Sequence, residues 1–305
     1  MTNAVKDYAF YGSRLRSEVP LSLVPFCAIQ QDPPDMELKF GHVPEFLPET
    51  VWSSPFVSIA ANGSALVRAP SAGRFFVKDG REITLESASG STALEIETFL
   101  MSAVAGIILH QRGVLPLHAS CVEIDGIAIA VCGISGLGKS TLAAALVRQG
   151  AILISDDICP VWFSEGVAVA MQGSTGLRLW PDSRKAFQTD ETFWSPIRAG
   201  HAKQVRAVHQ PELRPRRLGA IIRLLGGTHA KAAITRLRGP RAVSPLDEVI
   251  YRLKLGRLLG RSATLFRDVM RLAQAMPVYA LQRPASLHSI DYVTRLVSTV
   301  VEDAA

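Results

Sequence analysis

The feature that most constrains this chain is the octapeptide at residues 133–140, which reads GISGLGKS. It fits the pattern G-x-x-x-x-G-K-[ST], in which backbone amides of a glycine-rich loop surround a phosphate. The apolar, β-branched residues 126–132 before it predict a buried strand. Residues 141–149 after it predict a helix that ends at Gly150. The order strand, glycine loop, helix predicts a phosphate-binding loop.

Each position of this glycine loop has an expected role. The glycines let the backbone turn without side-chain clashes, and the helix N-terminus adds partial positive charge. Lys139 is expected to contact the β- and γ-phosphates of a nucleotide, and the Ser140 hydroxyl to bind Mg²⁺. The alternative is a glycine-rich turn that binds nothing. The residues predicted to bind nucleotide are Gly133, Ser135, Gly136, Leu137, Gly138, Lys139, Ser140 and Thr141.

Composition bounds the class of protein. The chain has 305 residues, of which 48% are hydrophobic and 20% are charged, so it has ample material for a buried core. It opens without an apolar signal core, and its longest apolar run, residues 99–109, is too short to span a bilayer and predicts a buried helix. The four cysteines are scattered without a C-x-x-C pair, which indicates core residues in a reducing compartment. We therefore expect a cytoplasmic protein without a membrane partner.

The formal net charge of +6 is unevenly distributed. Between residues 198 and 271 the basic residues far outnumber the acidic ones. Such a region suits a nucleotide, an acidic partner or nucleic acid, and it is equally compatible with ordinary solvated faces. Charge alone does not choose among these partners.

Residues 1–90 predict a β-rich N-terminal domain. Asn62-Gly63 and Asp79-Gly80 each separate two apolar segments, and both dipeptides tolerate the positive φ angles of a hairpin turn. Residues 92–112 predict a helix capped by Thr92. Residues 91–305 are expected to form a second domain that contains the glycine loop.

Three titratable residues frame the glycine loop in the sequence. His118 precedes it, and an apolar strand predicted at residues 151–155 ends in Asp156-Asp157. A carboxylate at the end of such a strand commonly positions Mg²⁺ or water beside a phosphate-binding loop. Two adjacent carboxylates repel each other unless a cation or a proton intervenes. The alternatives are a histidine without a functional role and two aspartates in a surface turn.

Two basic residues further along the chain, Arg178 and Lys203, are candidate phosphate contacts. Arg178 is also able to pair with a carboxylate, and Lys203 lies in a glycine- and proline-flanked segment that suits a mobile flap. On sequence alone, a solvated position is favoured over a catalytic role for either residue.

The last third of the chain predicts strands and helices around the same core. Residues 218–225 and 232–237 predict two strands that pair around a Gly-Gly turn. Ser244 predicts the N-cap of a helix over 245–259, because proline follows it at the first helical position. Helices over 263–276 and 287–302, with a short strand at 278–281, complete the chain.

The combination of His118, the glycine loop and the aspartate pair resembles the catalytic domain of HPr kinase/phosphorylase and its HPr kinase-like relatives. His118 lies 21 residues before Lys139, and Asp156 lies 17 residues after it. The resemblance covers residues 115–180 well and the rest loosely. It implies an α/β fold with the P-loop core shared by HPr kinases and phosphoenolpyruvate carboxykinases, built on a mixed sheet and preceded by a β-rich N-terminal segment.

The resemblance also implies roles for the framing residues. Asp156 would take the proton from a substrate serine hydroxyl, and Asp157 would hold Mg²⁺ together with Ser140. His118 would lie near the transferred phosphate. ATP and Mg²⁺ are the implied cosubstrate and metal.

The sequence departs from the family pattern in one place. The bifunctional enzymes carry a Leu-Glu-Ile-Arg-Gly signature, whereas residues 176–179 here read GLRL and lack the acidic residue. Phosphorylase activity is therefore in doubt. The N-terminal residues 8–18 look instead like those of stand-alone HPr kinase-like proteins, some of which phosphorylate the C-terminal serine of lasso peptide precursors.

The main hypothesis is an ATP- and Mg²⁺-dependent kinase acting on a serine of a small protein or peptide, plausibly the C-terminal serine of a lasso peptide precursor. The alternatives are an HPr kinase proper, a nucleotide-binding regulator without catalysis, and a kinase of small molecules. We do not expect nucleic acid as a partner, because a mere binder has no need of His118 and the aspartate pair. A homo-oligomer remains open.

Overall fold

The structure is a computed structural model that describes residues 5–27, 32–187, 191–197, 200–208, 214–227 and 229–304. The chain divides into two compact units. The first comprises Met1–Val114, Ile197–His201 and Arg252–Ser262, and the second comprises Leu115–Pro196, Ala202–Tyr251 and Ala263–Ala305.

Strands and helices alternate irregularly along the described residues. The strands are β1 Lys6–Phe10, β2 Ser13–Ser17, β3 Met36–Phe40, β4 Thr50–Ser53, β5 Val57–Ala60, β6 Ala65–Ala69, β7 Gly73–Lys78, β8 Glu82–Ser87, β9 Leu115–Leu117, β10 Ala119–Ile124, β11 Ile127–Cys132, β12 Ile152–Ser155, β13 Cys159–Ser164, β14 Val167–Ala170, β15 Gly176–Leu179, β16 Ser195–Pro196, β17 Gln204–Ala207, β18 Arg216–Leu224, β19 Ala233–Leu237 and β20 Val278–Gln282. The α-helices are α1 Ala93–Phe99, α2 Ala105–Gln111, α3 Lys139–Arg148, α4 Pro181–Ala186, α5 Pro240–Glu248, α6 Leu253–Leu258, α7 Ser262–Ala275 and α8 Ile290–Ala304. A π-helical turn, Leu100–Val104, joins α1 to α2, and 3₁₀ turns lie at Glu191–Phe193 and Leu287–Ser289.

The first unit is built on an eight-stranded sheet of order β1-β2-β3-β8-β7-β6-β5-β4. Both predicted hairpins are confirmed, since β5 pairs antiparallel with β6 and β7 with β8. At the second turn Asp79 and Gly80 have φ angles of +55° and +62°, the left-handed region that this turn requires.

The predicted helix after this sheet is also confirmed. Thr92 caps α1 through a capping box with Glu95. The helical stretch Ala93–Gln111 has the length and hydropathy of a membrane span, but 67% of its most apolar window is buried inside the protein. It is therefore a core helix of the kind that the sequence predicted.

This helical stretch places the boundary of the first unit later than the predicted residue 90. The Gln111 side chain accepts a hydrogen bond from the Gly80 amide (2.7 Å) and donates one to the Gly63 carbonyl (2.7 Å). The end of α2 is thereby bonded to two hairpin turns of the first sheet. The division after Val114 differs from the predicted one for this reason.

The second unit is built on a mixed, nine-stranded sheet. Its order is β12-β10-β11-β18-β14-β13-β9, with β20 paired to β18 and β19 paired to β20. The helices α3 and α8 contribute to one core with this sheet, in which Ile129, Leu142, Ile222 and Val297 are buried. The predicted α/β class is confirmed. A small three-stranded sheet, β15-β17-β16, is separate from it.

Strand direction determines where the polar residues of this sheet meet. β11, β18 and β20 are parallel to one another, and β12 has the same direction because both it and β11 are antiparallel to β10. The carboxyl ends of four strands therefore lie along one edge. In open α/β sheets this edge is where ligands bind.

Two expectations for the last third of the chain were wrong. β18 and β19 do not pair with each other, because β20 lies between them, parallel to β18 and antiparallel to β19. A parallel partner is reached only through a crossover, and the helices α5 to α7 supply it. The helix predicted to begin after Ser244 begins instead at Pro240, which follows Gly239.

A buried ion pair crosses the second sheet. Glu123 on β10 accepts hydrogen bonds from Arg216 Nε (2.6 Å) and Arg214 Nη2 (2.7 Å). Both Glu123 and Arg216 are buried. β11 separates their two strands, and its Ala128 is the cross-strand neighbour of Glu123. The pair therefore ties β10 to β18 across an intervening strand.

We expect Glu123→Gln to lower the free energy of unfolding by about 3 kcal/mol or more, because it removes the negative charge that faces the buried Arg216 guanidinium. Thermal and urea unfolding followed by circular dichroism measure this change. The exposed Glu302 offers a matched control, since Glu302→Gln removes the same charge at an expected cost of less than about 0.5 kcal/mol. Equal stability of the two variants would contradict the assigned role of the pair.

Candidate active site

The glycine loop joins β11 to α3 in the predicted order of strand, loop and helix. Gly133, Gly136 and Gly138 have φ angles of +146°, +91° and +91°, all in the region that favours glycine. Gly138 is also the N-cap residue of α3. The sequence therefore places glycine where the backbone turn requires it.

Lys139 is buried at the start of α3 and turns back over the loop. Its Nζ donates to the Gly133 carbonyl (2.8 Å) and lies 3.4 Å from the Ile134 carbonyl. Burial lowers the pKa of this ammonium group, and the charges of Asp157 and Asp156 oppose the shift. The cation is thus held by neutral carbonyls close to two carboxylates.

Asp156 is buried and accepts three hydrogen bonds. Its Oδ1 accepts from the hydroxyls of Ser120 (2.6 Å) and Ser140 (2.8 Å). Its Oδ2 accepts from the backbone amide of Arg178 (3.0 Å). The strand directions explain this meeting, because Asp156 follows the carboxyl end of β12 and Ser140 follows the loop at the carboxyl end of β11.

Asp157 has different surroundings from its neighbour. Its side chain is 30% exposed, and its Oδ1 lies 3.5 Å from His118 Nε2. Its Oδ2 accepts a hydrogen bond from Arg178 Nη1 (3.2 Å). Its backbone φ of +78° lies in the left-handed region, which a non-glycine residue rarely adopts and which often marks functional sites.

The electrostatic setting keeps Asp157 ionised. Burial raises the pKa of the Asp157 carboxyl, but the hydrogen bond from His118 and the positive charges of Arg178 and Lys203 outweigh it. The net result is a pKa well below the usual range of aspartate. Surrounding donors and cations therefore stabilise the negative charges of the two adjacent carboxylates, which would otherwise repel each other.

His118 is anchored by its backbone and leaves its ring partly exposed. Its amide donates to the Val249 carbonyl (2.6 Å), and its ring meets the edge of Tyr251 at a centroid distance of 5.6 Å. These contacts direct Nε2 towards Asp157.

Most of the predicted site residues line a single cavity of about 290 Å³. Gly133, Leu137 and Asp156 are not among its lining residues, although the first two belong to the loop and the third bonds to Ser140. The predicted residues that line the cavity are His118, Ser135, Gly136, Gly138, Lys139, Ser140, Thr141, Asp157, Arg178 and Lys203.

Lys203 was expected in a mobile flap, but it lies just before strand β17, which pairs with β15. Its Nζ lies 5.5 Å from the ring centroid of Trp180, within range of a cation–π contact.

The sequence reasoning missed several residues of the cavity wall. Trp180, Asp182 and Ser183 come from the end of β15 and from α4, and Ser183 shares a hydrogen bond with Thr141 (2.9 Å). Arg283 enters from the carboxyl end of β20. Arg283 follows the carboxyl end of β20, and the parallel pairing of β20 with β18 places that end at the edge of the sheet where the cavity lies. The sequence analysis did not predict this pairing.

The two aspartates for which the resemblance implied roles differ in their surroundings. Asp156, expected to face a substrate hydroxyl, is 1% exposed and bonded to Ser140. Asp157, expected to hold a metal with Ser140, faces the cavity beside His118.

The residues present fit a magnesium ion shared with a nucleotide. The described residues include no group of three or more His, Cys, Asp or Glu that could hold a metal alone. Mg²⁺ in nucleotide sites needs only one or two carboxylates besides phosphate and water. The Ser140 hydroxyl, which lines the cavity, is an oxygen ligand of this kind, and the Asp156 carboxylate orients it by accepting its hydrogen bond (2.8 Å).

The cysteines take no part in this chemistry. Cys121, Cys132 and Cys159 are buried, as core residues would be, whereas Cys27 is only partly buried. Burial raises the pKa of the Cys121 and Cys132 thiols, which makes them poor nucleophiles.

Comparison with known proteins agrees with the resemblance over part of the chain. Residues 113–174 match the family described as HPr Serine kinase C-terminal domain. The HPr kinase/phosphorylase of Clostridium botulinum (strain Eklund 17B / Type B) is 40% identical over 53 residues, which is 17% of this chain and 17% of that protein. That of Mycoplasmopsis pulmonis (strain UAB CTIP) is 41% identical over 59 residues, 19% of each chain.

Among solved structures, the Hpr(Ser) kinase/phosphatase from Coxiella burnetii is similar at 12% identity, with a TM-score of 0.31, over 60% of this chain and 94% of that one. The chain spans less than a fifth of the length of the two curated relatives. The matched segment includes His118, the glycine loop and both aspartates, and it ends before Arg178. The HPr kinase-like character that the sequence predicted is confirmed for this segment.

We expect Asp156→Ala to destabilise the protein more than Asp157→Ala. The first substitution leaves three donors without their acceptor in a buried position, at about 1–3 kcal/mol for each that stays unsatisfied. The second removes a partly exposed carboxylate and its contacts with His118 and Arg178, both of which line the cavity. Thermal unfolding of the two variants without ligand measures the difference. A larger loss for Asp157→Ala would contradict the assigned surroundings.

Proposed function

We propose that this HPr kinase-like protein transfers the γ-phosphate of ATP to a serine hydroxyl of a peptide or small protein. The proposal rests on one observation. The cavity beside the glycine loop also contains Asp157 and His118, and the buried Asp156 bonds to the loop residue Ser140. A protein that merely binds nucleotide has no need of a second, cavity-facing carboxylate beside a histidine.

The glycine loop, Lys139 and Ser140 would bind the phosphates, and Ser140, oriented by Asp156, would hold Mg²⁺. When bound, the metal would neutralise charge on the phosphate oxygens. Catalysis of phosphoryl transfer is largely positioning plus charge stabilisation. The cationic side chains that line the cavity suit the second of these tasks.

Asp157 would orient the acceptor serine and take its proton. The serine oxygen bonds to the γ-phosphorus while the bond from that phosphorus to the bridging oxygen breaks, and ADP leaves. The serine proton passes to Asp157 and then to solvent. Because the pKa of Asp157 is held low, its main contribution would be to orient the hydroxyl as an ionised acceptor.

The acceptor is the finer part of the proposal. A serine in a small protein or a peptide fits the HPr kinase-like segment, and the C-terminal serine of a lasso peptide precursor is the specific form that we propose. We also propose a cytoplasmic location, where ATP is supplied.

The test of the catalytic role compares Asp157→Asn with Asp156→Asn. We expect Asp157→Asn to lower phosphoryl transfer by about 10²–10⁴-fold while nucleotide binding survives. We expect Asp156→Asn to weaken Mg²⁺-dependent nucleotide binding as well. Transfer is measured by mass spectrometry of serine-ending peptides and of HPr, with alanine-substituted peptides as controls. If Asp157→Asn kept full transfer and Asp156→Asn lost transfer but kept nucleotide binding, Asp156 would be the residue that takes the serine proton, as the resemblance implied.

The test of the metal ligands compares Ser140→Ala with Ser135→Ala. Both serines line the cavity, but in the structure Ser140 is the one that bonds to Asp156. We expect Ser140→Ala to abolish most of the gain in ATP affinity that Mg²⁺ provides, and Ser135→Ala to retain it. Calorimetric titration with ATP, with and without Mg²⁺, measures that gain. An unchanged metal dependence in Ser140→Ala would remove this residue from the metal site.

A further inference from the structure

The geometry points to Arg283 as an additional phosphate ligand, one that holds the glycine loop by a backbone carbonyl and exchanges this contact for a phosphate oxygen of the bound nucleotide. The inference rests on the proposed function, because it requires a nucleotide in the cavity. Arg283 lies outside the segment that matches the HPr kinase family.

Arg283 reaches the loop from the far end of the chain. Its Nη2 donates to the Leu137 carbonyl (3.0 Å), and its Nη1 donates to the carbonyl of Pro284 (3.1 Å). Its Nε is buried and has no hydrogen-bond partner among the described residues. The guanidinium is therefore in contact with the loop, but its hydrogen-bonding capacity is only partly used.

The charge of Arg283 is also uncompensated within the described part of the chain. Two buried arginines of this unit face carboxylates, Arg178 facing Asp157 and Arg216 facing Glu123. Arg283 has no ion pair with a described residue, and burial alone lowers its pKa. Arg283 is partly buried, and a cation in such a position that is held only by neutral carbonyls is less stable than one paired with an anion.

An anion in the cavity would supply what Arg283 lacks. The guanidinium presents a planar set of donors that matches phosphate geometry. Arg283 lines the cavity together with Lys139 and Ser140, which belong to the phosphate-binding loop. The class of ligand is therefore a phosphate group of a nucleotide.

Gly138 makes room for this arrangement. A Cβ atom at position 138 would lie 2.2 Å from Arg283 Nη2, whereas a Cβ at Gly136 would meet no atom within 4 Å. The approach of the guanidinium to the loop thus depends on glycine at the residue that precedes Lys139.

The competing explanation is that Arg283 only stabilises the conformation of the glycine loop, as a clamp, and binds no phosphate. The variant Arg283→Met distinguishes this explanation from phosphate binding. Methionine keeps an unbranched side chain for packing but removes the charge. If Arg283 is a phosphate ligand, Arg283→Met without bound nucleotide should unfold at the same temperature as the unsubstituted protein or at a higher one. It also predicts that affinity for Mg²⁺-ATP falls roughly tenfold or more, whereas affinity for adenosine stays unchanged. Arg283→Lys should recover part of the ATP affinity.

Thermal unfolding and calorimetric titration with ATP, ADP and adenosine make these measurements. Arg217→Met is the matched control, because this exposed arginine of the same unit does not line the cavity. A clamp alone predicts the opposite pattern, with a lower unfolding temperature and an unchanged ratio of ATP to adenosine affinity, and that result would overturn the inference. If the unsubstituted protein bound no ATP, the proposed function itself would fail. If it bound ATP and Arg283→Met bound it equally well, only this inference would fail.

Discussion

The arrangement of the site depends on the hydrogen bonds that Asp156 accepts. The carboxylate joins Ser120 on β10, Ser140 on α3 and the backbone of Arg178 on β15. The strands β10 and β15 belong to two different sheets, and α3 is the helix that follows the glycine loop. One buried acid thus fixes the glycine-loop helix, the main sheet and the small sheet relative to one another, and such a group is costly unless all its bonds are made. Asp156 is engaged in this way, and its neighbour Asp157 is the aspartate of the pair that lines the cavity.

The adjacent residues Asp156 and Asp157 differ in burial, since the first is buried and the second lines the cavity. The left-handed backbone at Asp157, with φ of +78°, turns the chain directly after the buried Asp156. The second carboxylate consequently faces the cavity, where His118 and Arg178 hold it. Backbone strain of this kind persists only where surrounding contacts enforce it. The three hydrogen bonds to Asp156 supply that enforcement.

Sequence patterns predicted the local elements well, because each depends on neighbouring residues. The strand–loop–helix order, the hairpin turn at Asp79-Gly80 and the Thr92 cap all follow from short-range chemistry. The burial of Asp156 rather than Asp157 was not predictable, because the donors Ser120 and Arg178 that hold Asp156 lie 36 and 22 positions away from it. The place of β20 between β18 and β19 was missed because strand order depends on a crossover that no local pattern records. Arg283 was missed with it, since 146 positions separate it from Leu137.

The balance of charge in the cavity links these observations to the class of ligand. Among the described lining residues are four cationic side chains, Lys139, Arg178, Lys203 and Arg283, and two carboxylates, Asp157 and Asp182. Arg178 is neutralised by Asp157, whereas Lys139 and Arg283 donate to backbone carbonyls of the loop. Two cationic side chains thus donate hydrogen bonds to loop carbonyls, and in our proposal a phosphate oxygen, which is a stronger acceptor, would replace these carbonyls. Such a cavity has its electrostatic stabilisation built in before the ligand arrives, which is the condition under which fixed charges contribute most to binding and to catalysis.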